Sequence, residues 1–268
     1  MFLCPKCSCA LLFDDKRAYC ENNHSYDRAK GGYYNFLLTH KAFHGDNRDM
    51  VLARRTFLSM GYYAPLSEAL CRAVTSNTPK NCTLLDAGCG EGYYTDAVER
   101  ALYFRDGDSR VFALDISKDA VRELVRKNNR ITAAVASSYH LPLADFSFDA
   151  VINTFSPLAI DEVQRTLKPG GIFIMAIPAE DHLFELKSVI YDTPYKNEVA
   201  DTALDGFSLI SDEHIRYTMH LSAPESISAL FGMTPYAYRT RPENAQRITA
   251  LDSLDCTADF RLFVYTKL

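Results

Sequence analysis

The sequence predicts an α/β fold in which helices cover a parallel β-sheet, with a small metal-binding module in front of it. Four of the eight cysteines lie within the first 20 residues, which indicates the module. Residues 83–115 then follow the order strand, glycine-rich turn, helix, strand and acidic residue, which is typical of doubly wound sheets. A chain of 268 residues is long enough for both parts.

Composition and charge limit the class of protein. Hydrophobic residues make up 47% of the chain and charged residues 24%, which excludes disordered and collagen-like proteins. The sequence has neither a run of about 18 apolar residues nor a secretory leader at its start, so we expect a cytoplasmic protein that does not enter a membrane. The net charge of −5 argues against a simple basic nucleic-acid binder.

Positive charge is concentrated towards the N-terminal end. Residues 1–60 carry nine Lys and Arg against six Asp and Glu. This imbalance predicts either a part of the protein that faces an anion or an ordinary solvated surface. If it faces phosphates, Arg54 and Arg55 are candidate contacts.

The clustered cysteines have the spacing of zinc ligands. In a cytosolic chain such a cluster indicates metal binding rather than disulfides. Three thiols and one imidazole follow the order C-x2-C and then C-x3-H, and these residues are Cys4, Cys7, Cys20 and His24. Four protein ligands make a closed tetrahedral site, so the zinc would be structural and would supply folding energy that the small module lacks. We therefore predict a zinc-binding module over residues 1–40, with Cys9 as a non-ligand. The alternative is a set of reduced thiols without metal. Aromatic and cationic residues are mixed over residues 26–34, which predicts either that the module recognises RNA or that these rings form a turn packed on the zinc site.

Residues 47–75 have the apolar spacing of helices. Gly61 and Pro65 interrupt the pattern, which predicts two helices rather than one. Residues 41–80 are thus predicted to form a helical connector, and residues 81–268 a larger domain.

The glycine-rich turn of the larger domain distinguishes between cofactors. It reads D-x-G-x-G-x-G from Asp86 through Gly88 and Gly90, and its glycines allow a ligand to approach the backbone closely. Asp115 ends the second strand, where a carboxylate can accept hydrogen bonds from both hydroxyls of a ribose. The spacing differs from the G-x-G-x-x-G that seats a pyrophosphate. Asp86 would repel a phosphate but suits a cation. S-adenosylmethionine carries a sulfonium and an ammonium group and no phosphate, so we predict this cofactor rather than NAD.

Later segments predict the rest of the sheet. Strands are expected at residues 131–135, 148–153 and 172–177, and residues 183–268 are expected to add an antiparallel last pair that completes seven strands. In order and spacing, residues 83–178 resemble a class I (Rossmann-like) methyltransferase. Many such enzymes bind the adenine with an acid after the third strand. This chain has Ser137 there, so a hydroxyl or backbone group is expected to replace it.

Short motifs spread along the whole chain form a set. In chain order they are Cys4-Pro5-x-Cys7, Cys20-x3-His24, Lys30-Gly31-x-Tyr33-x-Asn35, Ala53-Arg54-Arg55-x-Phe57-Leu58, Gly88-Cys89-Gly90-Glu91-Gly92-Tyr93-Tyr94-Thr95, Ala136-Ser137-Ser138, His182-Leu183-x-Glu185-Leu186-Lys187 and Met233-Thr234-Pro235. The set closely resembles that of the bacterial 23S rRNA (guanine-N1)-methyltransferases, which include macrolide-resistance members. The resemblance is specific, because generic methyltransferases lack the zinc module.

This resemblance implies an activity and several site residues. The activity is methyl transfer from S-adenosylmethionine to N1 of one guanine in a 23S rRNA hairpin, with one structural zinc. By matching motif, the resemblance also implies cofactor contacts at Tyr63, Gly90, Glu91 and His182.

The chemistry of guanine N1 adds two requirements. N1 is protonated near neutral pH, so a proton must leave during the reaction, and the base must be unpaired or flipped out of a duplex. Asn153, Ser156 and Pro157 follow the fourth strand, where the base is expected. No carboxylate in this segment identifies a general base.

Two other interpretations stay open. One is a zinc-dependent RNA-binding protein with a vestigial methyltransferase domain, and the intact Asp86, Gly88, Gly90 and Asp115 argue against it. The other is a small-molecule methyltransferase, for which the zinc module would have no purpose. The sequence does not distinguish a monomer from a homodimer.

Overall fold

The N-terminal residues form a small antiparallel sheet. The structure, a computed structural model, describes residues 1–38, 45–199 and 202–268. Its first strands, which pair in chain order, are β1 (Leu12–Phe13), β2 (Arg17–Tyr19) and β3 (Ser25–Asp27). Strand β4 (Tyr34–Asn35) follows them. The predicted boundary between residues 40 and 41 lies outside the described residues.

Two helices precede the large sheet, as the sequence predicts. Helix α1 (Arg48–Ser59) begins at Asn47, whose side chain accepts a hydrogen bond from the Met50 amide at 3.0 Å. Gly61 has a φ of +82°, a left-handed conformation that separates the two helices. Helix α2 (Ala64–Asn77) has a proline in its first turn, where the missing amide hydrogen costs no hydrogen bond.

The remaining elements build a doubly wound sheet. Its strands are β5 (Thr83–Ala87), β6 (Arg110–Asp115), β7 (Thr132–Val135), β8 (Phe148–Thr154), β9 (Leu167–Pro178), β10 (Phe207–Leu221) and β11 (Leu254–Lys267). Its helices are α3 (Tyr93–Arg105), α4 (Lys118–Lys127), α5 (Ile160–Thr166), α6 (Phe184–Ile190), α7 (Pro224–Gly232) and α8 (Pro242–Thr249), with a 3-10 turn at Pro235–Tyr238. Among the described residues, no helix is both long enough and apolar enough to cross a membrane.

The strand order confirms the predicted class of fold and adds one strand to it. The order is β10-β11-β9-β8-β5-β6-β7-β4. Strands β5 to β9 run parallel, whereas β11 is antiparallel to β9 and β10 is antiparallel to β11. These are the predicted seven strands with their antiparallel last pair. The eighth strand is β4, which pairs in parallel with β7 and comes from the N-terminal module.

Strand β9 begins earlier than the sequence predicts. The strand was expected at residues 172–177, but residues 167–171 before it also belong to β9 and contain an irregularity, because the register passes from Phe148 opposite Leu167 to Ala150 opposite Ile172. Gly170 takes a φ of +70° in this segment. The glycine therefore allows a bulge within the strand instead of a turn before it.

The N-terminal module and the large sheet share one layer of core. Phe2 and Phe36 are both 3% exposed. The Phe2 ring centre lies 5.2 Å from that of Phe36 and 5.7 Å from that of Phe112, which belongs to β6. Buried residues of the module thus pack on the sheet itself. The other face of the sheet packs against α1, α2 and α3 through a separate apolar cluster.

Candidate functional site

Four ligand atoms come together in the N-terminal module. The sulfurs of Cys4, Cys7 and Cys20 and one imidazole nitrogen of His24 all lie within 4.8 Å of one another. Cys7 Sγ is 3.7 Å from Cys20 Sγ, and His24 Nδ1 is 3.4 Å from Cys4 Sγ and 3.5 Å from Cys20 Sγ. Zinc bonds of about 2.3 Å to sulfur and about 2.0 Å to nitrogen place tetrahedral ligands roughly 3.5–3.8 Å apart. The cluster therefore has the size of a four-coordinate zinc site.

Two tight turns present these ligands. The amide of Ser8 donates to the Cys4 carbonyl at 2.8 Å, and the amide of Asn23 donates to the Cys20 carbonyl at 3.0 Å. Ser8 and Asn23 both have a positive φ, close to 60°. Cys9 lies outside the ligand set.

A pocket of about 690 Å³ lies at the carboxyl ends of β5, β6 and β8. The carboxyl edge of a parallel sheet is where doubly wound folds bind their ligands. The predicted cofactor residues in its wall are Tyr63, Asp86, Gly88, Gly90, Glu91, Asp115 and His182. Ser137 is not part of this wall, and its hydroxyl instead accepts a hydrogen bond from the Tyr139 amide at 3.3 Å.

The glycine-rich turn lines the pocket and fits closely against the loop after β8. Gly88 has a φ of +106°, and a Cβ atom there would lie 2.0 Å from Ser156 Oγ. Only glycine therefore fits at this position. The amide of Gly90 donates to Asp115 Oδ2 at 2.8 Å, and the amide of Ser117 donates to Asp115 Oδ1 at 2.7 Å. Asp115 thus anchors the turn in addition to facing the pocket.

Asp86 places a buried carboxyl group in the pocket. Its Oδ2 accepts a hydrogen bond from Thr95 Oγ1 at 2.6 Å. Burial raises the pKa of the Asp86 carboxyl to about 7, an effect that the Thr95 hydrogen bond partly offsets. A positively charged ligand beside Asp86 would restore its ionised form.

Four buried side-chain oxygens in the described parts of the chain lack a hydrogen-bond partner within the protein. They are Asp86 Oδ1, Glu91 Oε1, Tyr94 Oη and Thr154 Oγ1. All four residues line this pocket. Because buried polar atoms normally have partners, their concentration here indicates a polar ligand. The ammonium, sulfonium and hydroxyl groups of S-adenosylmethionine fit this set of acceptors.

Tyr63 and His182 form a buried pair in the pocket wall. The Asp259 amide donates to His182 Nδ1 at 3.3 Å, so this nitrogen is the acceptor. His182 Nε2 then carries the hydrogen and donates it to the Tyr63 hydroxyl oxygen at 3.2 Å. Burial lowers the pKa of His182 to about 3, which keeps the ring neutral. The Tyr63 hydroxyl hydrogen is therefore left to bond an acceptor in the pocket, such as a carboxylate.

The two neighbouring arginines of α1 have different environments. Arg54 lines the pocket, where its guanidinium pairs with Asp46 and lies 3.4 Å from the Met233 carbonyl oxygen. Arg55 points elsewhere, with Nη1 2.6 Å from Glu123 Oε2. The sequence indicates Arg54 and Arg55 together as candidate phosphate contacts. In the fold the two side chains point to different places, so they do not form one contact surface.

The loop after β8 differs in part from the prediction. Ser156 and Pro157 line the pocket, but Asn153 is buried and donates from Nδ2 to the Ala87 carbonyl at 3.2 Å. Asn153 therefore holds β8 to β5 and does not face a base. Tyr94, Thr154 and Phe155 line the pocket but were not among the predicted site residues. Phe155 is 41% exposed in the pocket wall, has a φ of +57° and stacks on His182 with an interplanar angle of 14°. The sequence signal that could have identified Phe155 is a large apolar residue directly after a predicted strand.

Comparisons with known proteins agree with this geometry. A family model described as "Methyltransferase domain" matches residues 85–175, and a zinc-ribbon model described as "RlmA, N-terminal" matches residues 2–42. A chain from a solved complex between a Haloferax volcanii methyltransferase activator and a provisionally assigned methyltransferase has a TM-score of 0.51 and 20% identity. The alignment covers 83% of this chain and 98% of that one, and it supports the fold alone.

Two relatives match this chain over nearly its whole length. The "23S rRNA (guanine(748)-N(1))-methyltransferase" of Streptomyces fradiae is 32% identical over 94% of this chain and 91% of the relative. A protein of Micromonospora griseorubida with the provisional name 23S rRNA (guanine-N(1)-)-methyltransferase is 33% identical over 99% of this chain and 97% of the relative. The chain is thus an S-adenosylmethionine-dependent class I methyltransferase with a structural zinc ribbon, and it belongs to the 23S rRNA (guanine-N1)-methyltransferase family.

Proposed function

We propose that this protein transfers a methyl group from S-adenosylmethionine to N1 of a guanine in a 23S rRNA hairpin, in the cytoplasm. One observation carries the proposal. A zinc ribbon is packed directly on a methyltransferase sheet, through Phe2 and β4, in a chain that resembles 23S rRNA (guanine-N1)-methyltransferases from end to end. A small-molecule methyltransferase would not need this second module.

The pocket residues suit the cofactor group by group. S-adenosylmethionine supplies a methyl group that its sulfonium already activates. Asp86 offers a carboxylate oxygen to a cationic group, and the Tyr63 hydroxyl offers a hydrogen to a carboxylate. Asp115 lies at the end of β6, where its carboxylate can accept hydrogen bonds from ribose hydroxyls. Ser137 stays a predicted contact for the adenine.

The loop after β8 offers a surface for the target base. Phe155 presents a half-exposed aromatic face in the pocket wall, beside Ser156 and Pro157. A guanine that leaves its duplex loses stacking, and an aromatic ring can replace it. Holding the base and the methyl donor in one pocket aligns the nucleophile with the carbon that it attacks.

The proposal is tested with deproteinised 23S rRNA from cells that lack this protein. The purified protein should incorporate labelled methyl groups from S-adenosylmethionine into this RNA, and reverse transcription should stop at one guanine, because an N1 methyl group blocks base pairing. Asp86→Asn is the matched control, since it keeps the side-chain shape and removes the charge. Binding of rRNA and zinc without methyl incorporation would favour the vestigial-domain interpretation. Methylation of small molecules but not of rRNA would favour the interpretation as a small-molecule methyltransferase.

The same preparation addresses the oligomeric state. Light scattering with and without rRNA would show whether the protein is a monomer or a homodimer.

A further inference from the structure

A second cavity lies beside the cofactor pocket. It has a volume of about 520 Å³ and shares Leu58, Glu91 and Tyr93 with that pocket. The rest of its wall comes from α1, from the turn after it and from α4, and consists of Arg55, Ser59, Gly61, Glu123, Arg126 and Lys127. Three of these side chains are cations, and the predicted cofactor contacts do not include any of the three.

Carboxylates hold the three cations in place. Glu123 lies between two of them, with Oε2 2.6 Å from Arg55 Nη1 and Oε1 3.1 Å from Arg126 Nη1. Lys127 Nζ is 3.3 Å from Asp96 Oδ2. These contacts join α1 to α4 and α4 to α3, so the positive groups are ordered before any ligand arrives.

The cations keep donors for a further partner. A guanidinium carries five N–H donors, and a single contact with Glu123 leaves others available on Arg55 and Arg126. The side chains of Arg55, Arg126 and Lys127 are 59%, 62% and 44% exposed, whereas that of Glu123 is 15% exposed. The acid is therefore recessed and the cations face outwards, which is the arrangement that an incoming anion requires.

We propose that this cavity binds a backbone phosphate of the RNA next to the nucleotide whose base enters the cofactor pocket. The inference rests on the proposed function, since it takes the substrate to be RNA. A base turned into the pocket leaves its phosphodiester groups outside, and the shared wall of Leu58, Glu91 and Tyr93 places the cavity next to that entrance. Arginine and lysine are the usual protein partners of RNA phosphates.

The experiment compares a double variant with a matched control in the full-length, zinc-bound protein. Arg126→Ala combined with Lys127→Ala removes two cations from the cavity. Arg100→Ala is the control, because Arg100 is 60% exposed and pairs with the same Asp96 but does not line the cavity. Binding of deproteinised 23S rRNA is measured over a fourfold range of salt, about 50 to 200 mM.

Because the cavity takes one phosphate, we expect the double variant to lower the log–log salt slope by about 0.9, and Arg100→Ala to leave it unchanged. The ratio of the wild-type RNA affinity to that of the double variant should then fall about 3.5-fold between about 50 and 200 mM salt. Calorimetry should show the wild-type affinity for S-adenosylmethionine in both variants, which separates this effect from unfolding.

Two results would overturn the proposal. One is an unchanged salt slope in the double variant while the wild type methylates the rRNA, which would leave the proposed function intact and move the phosphate contact elsewhere. The other is saturable millimolar binding of inorganic phosphate that the double variant loses without any change in RNA affinity, since the cavity would then take a free anion. Absence of methylation by the wild type would instead count against the proposed function, and the salt slopes would still measure the phosphate contact.

Discussion

Removing one zinc ligand should destabilise the whole protein and not the N-terminal module alone. Cys20→Ser replaces a thiolate with a hydroxyl, which is a poor zinc ligand at neutral pH. The small size of the module predicts that residues 1–40 unfold without metal. The structure adds a consequence for the large sheet, because Phe2, Tyr34 and Phe36 are all less than 10% exposed in a shared core.

The expected loss of stability follows from burial of the three rings of Phe2, Tyr34 and Phe36. Burying a large apolar side chain contributes about 1.5–3 kcal/mol, so their exposure would remove about 5–9 kcal/mol. That is comparable to the total stability of an ordinary protein, about 5–15 kcal/mol. At about 2–4 °C per kcal/mol, the unfolding temperature should fall by roughly 10 °C or more. Loss of β4 would also leave β7 as the edge of the sheet. Strand β7 pairs directly with β6, which carries Asp115.

The assay combines zinc stoichiometry, thermal unfolding followed by circular dichroism, and calorimetric titration with S-adenosylmethionine. Cys9→Ser is the matched control, because it makes the same chemical change at a cysteine outside the ligand set. The reasoning is refuted if Cys20→Ser loses zinc but unfolds at the same temperature as Cys9→Ser. The module would then be an independent unit, as its sequence alone suggests.

Three further predictions concern the cofactor pocket. The pKa of Asp86 is about 7, so its protonation competes with a cationic ligand. Calorimetry should therefore show S-adenosylmethionine binding about tenfold more weakly near pH 6 than near pH 8. Asp86→Asn should abolish this pH dependence. Asp115→Ala should weaken the affinity roughly tenfold to a hundredfold, or about 1.5–3 kcal/mol, and an unchanged titration would remove this residue from the site. Tyr63→Phe leaves the His182 N–H without its acceptor, so the affinity for S-adenosylmethionine should fall about tenfold or more. The same titration should show no change for Tyr62→Phe, because Tyr62 lies outside the pocket.

Local spacing was sufficient to predict the parts of the molecule that local geometry builds. Cys4 and Cys7 are held by one tight turn, and so are Cys20 and His24, so a C-x2-C and a C-x3-H each determine how close two ligands lie. The glycine-rich turn follows the same logic, because Gly88 must take a φ that other residues avoid. For these features the sequence by itself determined the chemistry.

Contacts between distant parts of the chain needed the tertiary structure. Tyr63 and His182 are 119 positions apart, and family resemblance rather than any pattern in this chain pointed to them. The tautomer of His182 depends on the Asp259 amide, which belongs to a strand near the end of the chain. Phe155 becomes a wall of the pocket only because its backbone turns to a positive φ after β8.

The same distinction explains Arg54, Arg55 and strand β4. Adjacent residues on a helix point in directions about 100° apart, so one arginine enters the cofactor pocket and the other joins the neighbouring cavity. Strand β4 has only two residues, too short to show a period of its own. Its place in the large sheet depends on the exposed edge of β7, which only the folded chain provides.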